Sequence, residues 1–537
     1  MIVSERGMMI SGATGRWSTT TSGPCLTGSD RHRAEPLFSA ETIPMRTATC
    51  IALLCAPLVA LPQFLDPGFG ENGVVHLDVD GSFEQFFEVV AQADGGIVAV
   101  GHANVDSDLK GLIARYTSQG ELDTEFMGTG YHVFDVGGAD TELTGVALFP
   151  DGRIVCSGSV GSGSSRRPAA FLFSPNGQPD PDFGSAGASV FPGTTSGFGE
   201  DVAVTVDGKV VVVGGLGGNI FAARYWDTGL LDETFNGDGW MDLDLGGSER
   251  AYSVGAQGDA MVVACYGDPA GGPVGTVWAK RITEDGEWDA TFGDEGSVMH
   301  GVTQGGKAFD VFTRGDGAIL LSGLATTMGM YSEAVNFMLD ADGHGDGAIV
   351  TETAPDEEGR PTKAYAGWLM NDGRAIVAAT EGEDVLLIGL SASGALDPGF
   401  GDQGLMRAPG LALEDGSNED AAGLWVEPNG RALYCGRSRD GGDAFVAAFM
   451  TGATGLVEGP VDHLKLHPNP ATDQMVLPWS EAGAWRVHDA LGRAVLQGVQ
   501  PVSGPLILSV ADLPPGTYRF VQHGASRSAG ASFVVQR

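Results

Sequence analysis

The sequence predicts an all-β protein, a seven-bladed β-propeller followed by a small immunoglobulin-like β-sandwich. The 537 residues include 84 glycines, and only 18% are charged, a composition typical of short strands joined by tight turns. Two short motifs recur about every 55 residues through the middle of the chain. Repeats of this length with four strands each are typical of propeller blades, and the composition changes after Gly459 and Pro460, where the repeats stop.

The first motif is Leu-Asp-x-x-Phe-Gly-x-x-Gly. Its phenylalanines are Phe69, Phe126, Phe183, Phe235, Phe292 and Phe400. A degenerate copy spans Leu339–Gly347 and fills the wide gap before the last of them. The glycines permit a sharp turn between the third and fourth strands, and we expect the phenylalanines to pack between neighbouring blades.

The second motif is Asp-Gly or Asn-Gly followed by a run of β-branched residues. Its copies are Asp94–Gly101, Asp151–Gly158, Asp207–Gly214, Asp316–Gly323, Asp372–Ala379 and Asn429–Gly436, with a blurred seventh at Gln257–Ala264. Asp-Gly between apolar runs is the strongest short-range hairpin signal. The apolar run after each turn predicts a buried central strand.

The two ends of the repeat array predict a closed ring. The first copy holds only the first motif and one strand, Val74–Val79, and the last copy stops after three strands at Phe449. We expect the N-terminal strand to complete the last blade, which leaves no open sheet edge. A parallel β-helix is the structural alternative, but its coils are usually much shorter than these repeats.

The first 62 residues are expected to lie outside the folded domain. Met45 opens a short basic region, and the apolar run Cys50–Ala60 has the length of a secretory signal core, too short to span a bilayer. Residues 45–62 therefore predict a signal peptide, and residues 1–44 an upstream or disordered leader. No other segment predicts a transmembrane helix.

The rest of the chain divides into three parts. Residues 63–457 are predicted to form the propeller, 458–464 a linker and 465–537 the sandwich. In the last part, proline and asparagine shape the first turn, and Gly492 and Gly516 are expected to form turns between short strands.

Both regions resemble known families. The paired motifs over about residues 64–450 resemble the delta-60 repeat of bacterial secreted and surface proteins. The tail resembles the type A C-terminal sorting domain of the type IX secretion system of Bacteroidota, on motifs that include Pro468, Asn469, Pro470, Gly492, Gly516 and Tyr518. The second resemblance implies Sec export, transport by the type IX machinery, and an extracellular or outer-membrane-surface location.

The sequence indicates binding rather than catalysis. The formal net charge of −39 repels nucleic acids, so a nucleic-acid partner is not expected. No zinc-protease, phosphate-loop, nucleophile-elbow or Cys-x-x-Cys motif occurs. We therefore expect a monomeric, non-catalytic surface protein that binds an extracellular polysaccharide or a protein. The alternatives are a polysaccharide-active enzyme with its site in the propeller centre and a purely structural envelope protein.

The sequence implies no cofactor, but one acidic stretch could bind Ca²⁺. Asp340, Asp342 and Asp346 alternate with small residues, a pattern that lets several oxygens converge on a hard cation. The same stretch aligns with an ordinary turn of the repeat, where aspartate is favoured for its own hydrogen bonding. The similar stretch Asn236–Asp242 is open to the same two interpretations.

Overall fold

The computed structural model is an all-β protein whose main part is a seven-bladed β-propeller, as predicted. It describes residues 64–267, 277–299, 306–326, 332–345, 349–351, 362–381, 384–412, 423–438, 442–451, 474–480, 483–489, 494–500, 504–511, 513–514, 516–524 and 528–535. Seven four-stranded antiparallel sheets make up the blades. Within each sheet the first three strands follow chain order from the innermost outward.

The strands of the first four blades follow the repeat closely. Blade 1 is β2 (Phe83–Ala91), β3 (Ile97–Val105), β4 (Asp108–Tyr116) and β5 (Tyr131–Phe134). Blade 2 is β6 (Thr141–Leu148), β7 (Ile154–Val160), β8 (Arg167–Phe173) and β9 (Ala188–Val190), with a short 3₁₀ turn at Gly163–Ser165. Blade 3 is β10 (Gly197–Val204), β11 (Val210–Leu216), β12 (Asn219–Tyr225) and β13 (Trp240–Leu243). Blade 4 is β14 (Arg250–Gln257), β15 (Ala260–Gly267), β16 (Val277–Ile282) and β17 (Val298–Met299).

The last three blades include the strand that closes the ring. Blade 5 is β18 (Gly306–Thr313), β19 (Ile319–Thr326), β20 (Ser332–Leu339) and β21 (Ile349–Thr351). Blade 6 is β22 (Thr362–Leu369), β23 (Ala375–Glu381), β24 (Asp384–Leu390) and β25 (Leu405–Ala412). Blade 7 is β26 (Leu424–Val426), β27 (Arg431–Arg437), β28 (Ala444–Met450) and β1 (Val74–Leu77).

The Asp-Gly motif forms the hairpin between the two inner strands of a blade. Gly95 has a φ of 88°, which only glycine adopts without strain, and Asp94 accepts the backbone N–H of Gly96 at 2.9 Å. The apolar run that follows is the second strand, and all seven residues of β7 are buried. The prediction of a buried central strand after each turn is confirmed.

The motif phenylalanines plug the gaps between blades, as expected. Phe126 is fully buried beneath the turn of blade 2, where a Cβ added to Gly177 would lie 2.3 Å from its ring. The next junction repeats this contact with Phe183 under Gly229, and there the backbone N–H of Gly184 bonds to the carbonyl oxygen of Thr228 at 2.8 Å. The same contact therefore fastens successive blades together.

The N-terminal strand closes the ring as predicted. β1 pairs antiparallel with β28, with Val74 opposite Ala447 and Leu77 opposite Ala444. The backbone N–H of Ala448 bonds to the carbonyl oxygen of Gly73 at 2.9 Å. The outer strand of blade 7 thus comes from the beginning of the repeat array.

The tail is also built of strands. Its sheets are β29 (Gln474–Ser480) with β32 (Gly504–Ser509), and β31 (Ala494–Gln500), β30 (Gly483–Asp489), β33 (Gly516–Gly524) and β34 (Ser528–Val535) in that order. Both sheets contribute to one buried cluster that includes Val487, Leu508 and Phe520.

Two further predictions concern helices and cysteines. Within the described ranges, no helix has the length and apolar character needed to cross a membrane. Cys156, Cys265 and Cys435 are buried free thiols in apolar strands, as expected for small buried side chains. The predicted leader and signal peptide lie outside the described residues.

Candidate functional site

The innermost strands of the seven blades surround a central channel of about 440 Å³. In blades 1 to 6 the innermost strand carries a β-bulge at the same position. A bulge sets two residues against one on the partner strand and redirects their side chains. The bulged residues are Phe87, Thr144, Glu200, Tyr252, Phe309 and Tyr365, and all of them line the channel.

The residues after the bulges form a second layer, and in blades 3 to 5 their side chains join neighbouring blades. Asp201 Oδ2 in blade 3 accepts the backbone N–H of Val254 in blade 4 at 2.8 Å. Ser253 Oγ in blade 4 donates to Asp310 Oδ1 in blade 5 at 2.8 Å, and Asp310 Oδ2 accepts the N–H of Gly367 in blade 6 at 2.7 Å. These carboxylates therefore link adjacent innermost strands through side-chain bonds.

The second layer also explains why residue 145 is a glycine. A Cβ on Gly145 in blade 2 would lie 2.6 Å from Asp201 Oδ1 and 2.8 Å from its Cα. Because backbone atoms cannot move aside as a flexible side chain can, only glycine fits beside Asp201 here.

Burial makes the carboxylates of this layer weak acids. Burial raises the pKa of Asp201 to about 6, and the nearby charge of Asp310 adds to the effect. Burial also raises the pKa of Asp310, and it raises that of Glu88 well above its usual value, where Asp201 and Asp310 contribute further. The centre of the channel therefore favours protonated carboxyls or bound cations over free negative charge.

A different cluster lies at one end of the channel, which we call the upper mouth, where the innermost strands begin. Arg166 bonds to Glu142 Oε2 at 2.6 Å, and His102 Nδ1 lies 3.3 Å from Glu142 Oε1. Arg250 bonds to Glu200 Oε1 at 2.6 Å. The mouth thus combines two carboxylates with three basic side chains on blades 1 to 4.

Aromatic rings support the basic side chains of the upper mouth. The Arg250 guanidinium lies 4.7 Å from the ring centre of Tyr252 and 4.8 Å from that of Phe198. Lys307 Nζ lies 5.7 Å from the Tyr252 ring and 3.5 Å from its hydroxyl. Such cation–π contacts hold the cations in place over flat apolar faces.

The two carboxylates of the upper mouth have opposite pKa shifts. Burial raises the pKa of Glu200 to about 7, although Arg250 opposes this. Burial would also raise the pKa of Glu142, but the bond from His102 and the charges of His102 and Arg166 outweigh it and hold the pKa below its usual value. Near neutral pH, one carboxyl is thus about half protonated and the other is ionised.

A second cavity of about 640 Å³ opens beside the upper mouth between blades 3 and 4. Gly215, Gly217 and Gly218 line it together with Phe198 and Tyr266. It shares Arg250 and Tyr252 with the central channel. Arg250 and Tyr252 therefore lie at the boundary between the channel and this second cavity, which we call the groove.

The predicted calcium stretch forms the turn after β20. Asp340 Oδ1 accepts the backbone N–H groups of Asp342 and His344 at 3.0 and 2.9 Å. The Asp342 side chain is 73% exposed and lies 3.7 Å from Arg281. Asp346 lies outside the described residues, so calcium binding by this stretch stays a prediction.

The Asn236–Asp242 stretch shows similar turn bonding. Asn236 Nδ2 donates to the carbonyl oxygen of Trp240 at 2.9 Å, and Asp242 accepts a bond from Asn219. The turn interpretation accounts for the Asn236 bond, whereas the Asp242 bond joins the neighbouring strands β12 and β13.

The structure describes only part of the predicted sorting motif. Gly516 begins β33, and the buried Tyr518 donates its hydroxyl to the carbonyl oxygen of Pro514 at 2.7 Å. Pro468, Asn469, Pro470 and Gly492 lie outside the described residues. The sorting role stays a prediction.

The residues that line the channel were not predicted, although the sequence contains a signal for them. In five of the first six blades the bulged residue stands seven positions before the Asp-Gly turn, as Phe87 stands before Asp94 and Glu200 before Asp207. In blade 4 the blurred copy begins at Gln257, five positions after Tyr252. Aligning the repeats on the turn brings these residues into one column. The bulged residues differ in chemistry from one repeat to the next, whereas the positions one before and two after them are apolar in most repeats. This variation distinguishes the bulged position from positions that serve only to pack the core.

Comparisons with known proteins agree with the fold. A family model described as a domain of unknown function (DUF5122) beta-propeller matches residues 92–126 and 150–183. Each matched segment runs from just before an Asp-Gly turn to a motif phenylalanine, Phe126 or Phe183. A search of curated proteins found no match.

Solved structures with a similar arrangement have low sequence identity. A polysaccharide lyase, Uly1, is 11% identical with a TM-score of 0.40, covering 68% of this chain and 89% of its own. Sqt1 from Chaetomium thermophilum is 13% identical with a TM-score of 0.36, covering 70% and 97%. A putative glycoside hydrolase from Parabacteroides distasonis is 12% identical with a TM-score of 0.29, covering 56% and 84%. Scores this low carry no argument about activity; the family match and the seven sheets identify the chain as a β-propeller protein.

Proposed function

We propose that this protein is an exported, non-catalytic β-propeller that binds a uronate-containing polysaccharide at the upper mouth. The observation that carries the proposal is the pair Arg250 and Tyr252, which lines both the channel and the adjoining groove. A chain of sugar rings passing from groove to channel would meet this pair at the junction.

The chemistry of the mouth suits a sugar acid. The Tyr252 ring offers an apolar face for a sugar ring, and Arg250 offers donors that match a carboxylate. Lys307 and Arg166 add positive charge in a chain whose net charge is −39. Because burial raises the pKa of Glu200 to about 7, this carboxyl is partly protonated near neutral pH and repels the carboxylate of a uronate less strongly.

Binding is tested with an array of neutral and uronate-containing oligosaccharides, followed by calorimetry on the best one. We expect uronate chains to bind the wild-type protein and Tyr252→Ala to weaken that binding about tenfold. Trp226→Ala is the matched control, since Trp226 follows β12 at the end of blade 3 away from the upper mouth. Equal loss in both variants, or binding of neutral chains alone, would contradict the proposal.

A second candidate function is polysaccharide cleavage in the same place. It is favoured by the opposite pKa shifts of Glu142 and Glu200, because glycosidases use one protonated and one ionised carboxyl. In this reading Glu200 supplies the proton and Glu142 stays ionised.

Product analysis separates binding from cleavage. The oligosaccharides that bind are incubated with wild-type protein and with Glu200→Gln, and chain length is followed by mass spectrometry. Intact chains with both proteins support binding without catalysis. Shortened chains with wild type alone would instead establish the enzyme.

We also propose that the tail directs export. The resemblance to the type A sorting domain supports this. Two residues of its motif lie in described parts of the tail, Gly516 at the start of β33 and Tyr518, which is buried. The repeats would then belong to the delta-60 group, and the mature, monomeric protein would lie outside the outer membrane.

Export is tested by fusing residues 458–537 to a periplasm-targeted fluorescent protein in a Bacteroidota host with type IX secretion. The fusion should reach the cell surface or medium, and Tyr518→Ala should retain it in the periplasm. Retention of the unaltered fusion would count against the sorting role.

A further inference from the structure

Three carboxylates meet where the ring closes. Asp78 follows β1, Glu84 lies near the start of β2, and Asp443 stands just before β28. One oxygen from each lies within 4.8 Å of the others. Asp443 stands more than 350 positions after Asp78 and Glu84 in the chain, so only closure of the ring brings it to the other two.

Glu84 gives this cluster a feature that an ordinary acidic turn lacks. Its side chain has no exposed surface, and one carboxylate oxygen accepts the Ser82 hydroxyl. The other oxygen, Oε2, is buried without a hydrogen-bond partner among the residues that the structure describes. A buried acceptor left in this state costs free energy, so its position calls for a ligand or a proton.

The charges that act on Glu84 include those of the other two carboxylates. Asp78 Oδ1 accepts the backbone N–H of Gly81 at 2.6 Å. Burial raises the pKa of Glu84; the Ser82 bond and the N–H of Val79 oppose this, while the charges of Asp78 and Asp443 raise it further. Three acidic groups this close repel one another unless a cation lies between them.

We propose that Asp78, Glu84 and Asp443 bind one Ca²⁺ ion that fastens the closing strand to the ring. All three ligands are oxygens, which Ca²⁺ and Mg²⁺ prefer over the nitrogen and sulfur ligands typical of zinc. Ca²⁺ tolerates irregular geometry, with water or backbone carbonyls completing its shell, whereas Mg²⁺ demands a near-ideal octahedron.

Such an ion would act on the closure itself. Asp78 and Glu84 lie on either side of the crossover from blade 7 to blade 1, and Asp443 belongs to the hairpin that carries β28. An ion bound to all three therefore connects the end of β1, the first blade and the last blade. Binding to the closed ring alone stabilises it by mass action.

The experiment measures Ca²⁺ binding to the full chain after removal of divalent ions. Calorimetry should show a Ca²⁺ site in the wild-type protein that does not depend on the Asp340 turn, and the melting temperature should rise with added Ca²⁺. Glu84→Gln and Asp443→Asn should each weaken binding by at least about tenfold and abolish the rise in melting temperature.

Asp340→Asn is the matched control, because Asp340 belongs to an acidic turn in another blade. It should keep the Ca²⁺ site that Glu84→Gln and Asp443→Asn lose. The proposal is overturned if the wild type binds no Ca²⁺, if Glu84→Gln and Asp443→Asn bind it normally, or if Asp340→Asn loses the site. A Glu84→Gln protein that is more stable than wild type with and without Ca²⁺ would show that Glu84 holds a proton instead.

Discussion

At the scale of single residues, the channel is defined by carboxylates that the fold has removed from water. Glu200 and Asp201 are neighbours in one bulge, yet they act differently. Asp201 accepts bonds from the backbone of its own strand and the next blade, whereas Glu200 bonds to the Arg250 side chain. Asp201 thus helps to assemble the ring, and Glu200 is available to respond to a ligand.

The raised pKa of Glu200 predicts a pH dependence of stability. Because its pKa is about 7 in the folded protein and about 4.3 in an unfolded chain, the folded state binds more protons between those values. Its contribution to the free energy of unfolding is therefore fully present below about pH 4.3 and is lost as pH rises to about 7. Over this window the wild-type protein should therefore lose on the order of 1–3 kcal/mol of its free energy of unfolding through Glu200. The Glu200→Gln variant should not show this loss.

The measurement is chemical denaturation of wild type and Glu200→Gln from pH 4.5 to 8. Asp316→Asn is the control, since the Arg314 hydrogen bond lowers the pKa of this exposed carboxyl to about 2. It should leave the slope above pH 4.5 unchanged. Parallel curves for wild type and Glu200→Gln would show that Glu200 ionises normally.

At the scale of elements, one contact between strand pairs repeats around the ring. Five motif phenylalanines, those before Phe400, lie under the turn glycine of the next blade, as Phe235 lies under Gly286 and Phe292 under Gly343. The sequence indicates where the contact recurs, because a turn glycine stands six residues before the motif phenylalanine of the same blade, as Gly177 stands before Phe183. The bulges were harder to predict, because the bulged residues vary from phenylalanine to glutamate. The side chains that follow them bond to neighbouring blades, which are distant in the sequence.

The phenylalanine contact predicts a large effect of truncation. Phe126 is fully buried, so Phe126→Ala should lower the free energy of unfolding by about 3–5 kcal/mol through lost burial and the cavity left behind. Phe83→Ala is the matched control, because Phe83 is 57% exposed. Denaturant titration of both variants is the measurement; similar losses would mean that the motif phenylalanines do not hold the blades together.

At the scale of the whole molecule, the sequence predicted the ring and its closure but not its binding residues. The fragmentary first and last repeats predicted that the N-terminal strand completes the last blade, and β1 does so. The cluster of Asp78, Glu84 and Asp443 could not be predicted in this way, because none of its residues belongs to either motif. It exists only where two distant ends of the array meet.

The channel and the cluster of Asp78, Glu84 and Asp443 both depend on a closed ring, because an open array of blades would form neither. Val74 and Ala447 lie directly opposite each other in β1 and β28, and residues so paired have Cα atoms about 4.5–5.5 Å apart, within the span of a disulfide. The decisive measurement is therefore oxidation of Val74→Cys/Ala447→Cys in the full chain, followed by peptide mass spectrometry. A closed ring predicts an intramolecular link between the two strands and a raised melting temperature. Absence of that link, or links only between separate molecules, would contradict it.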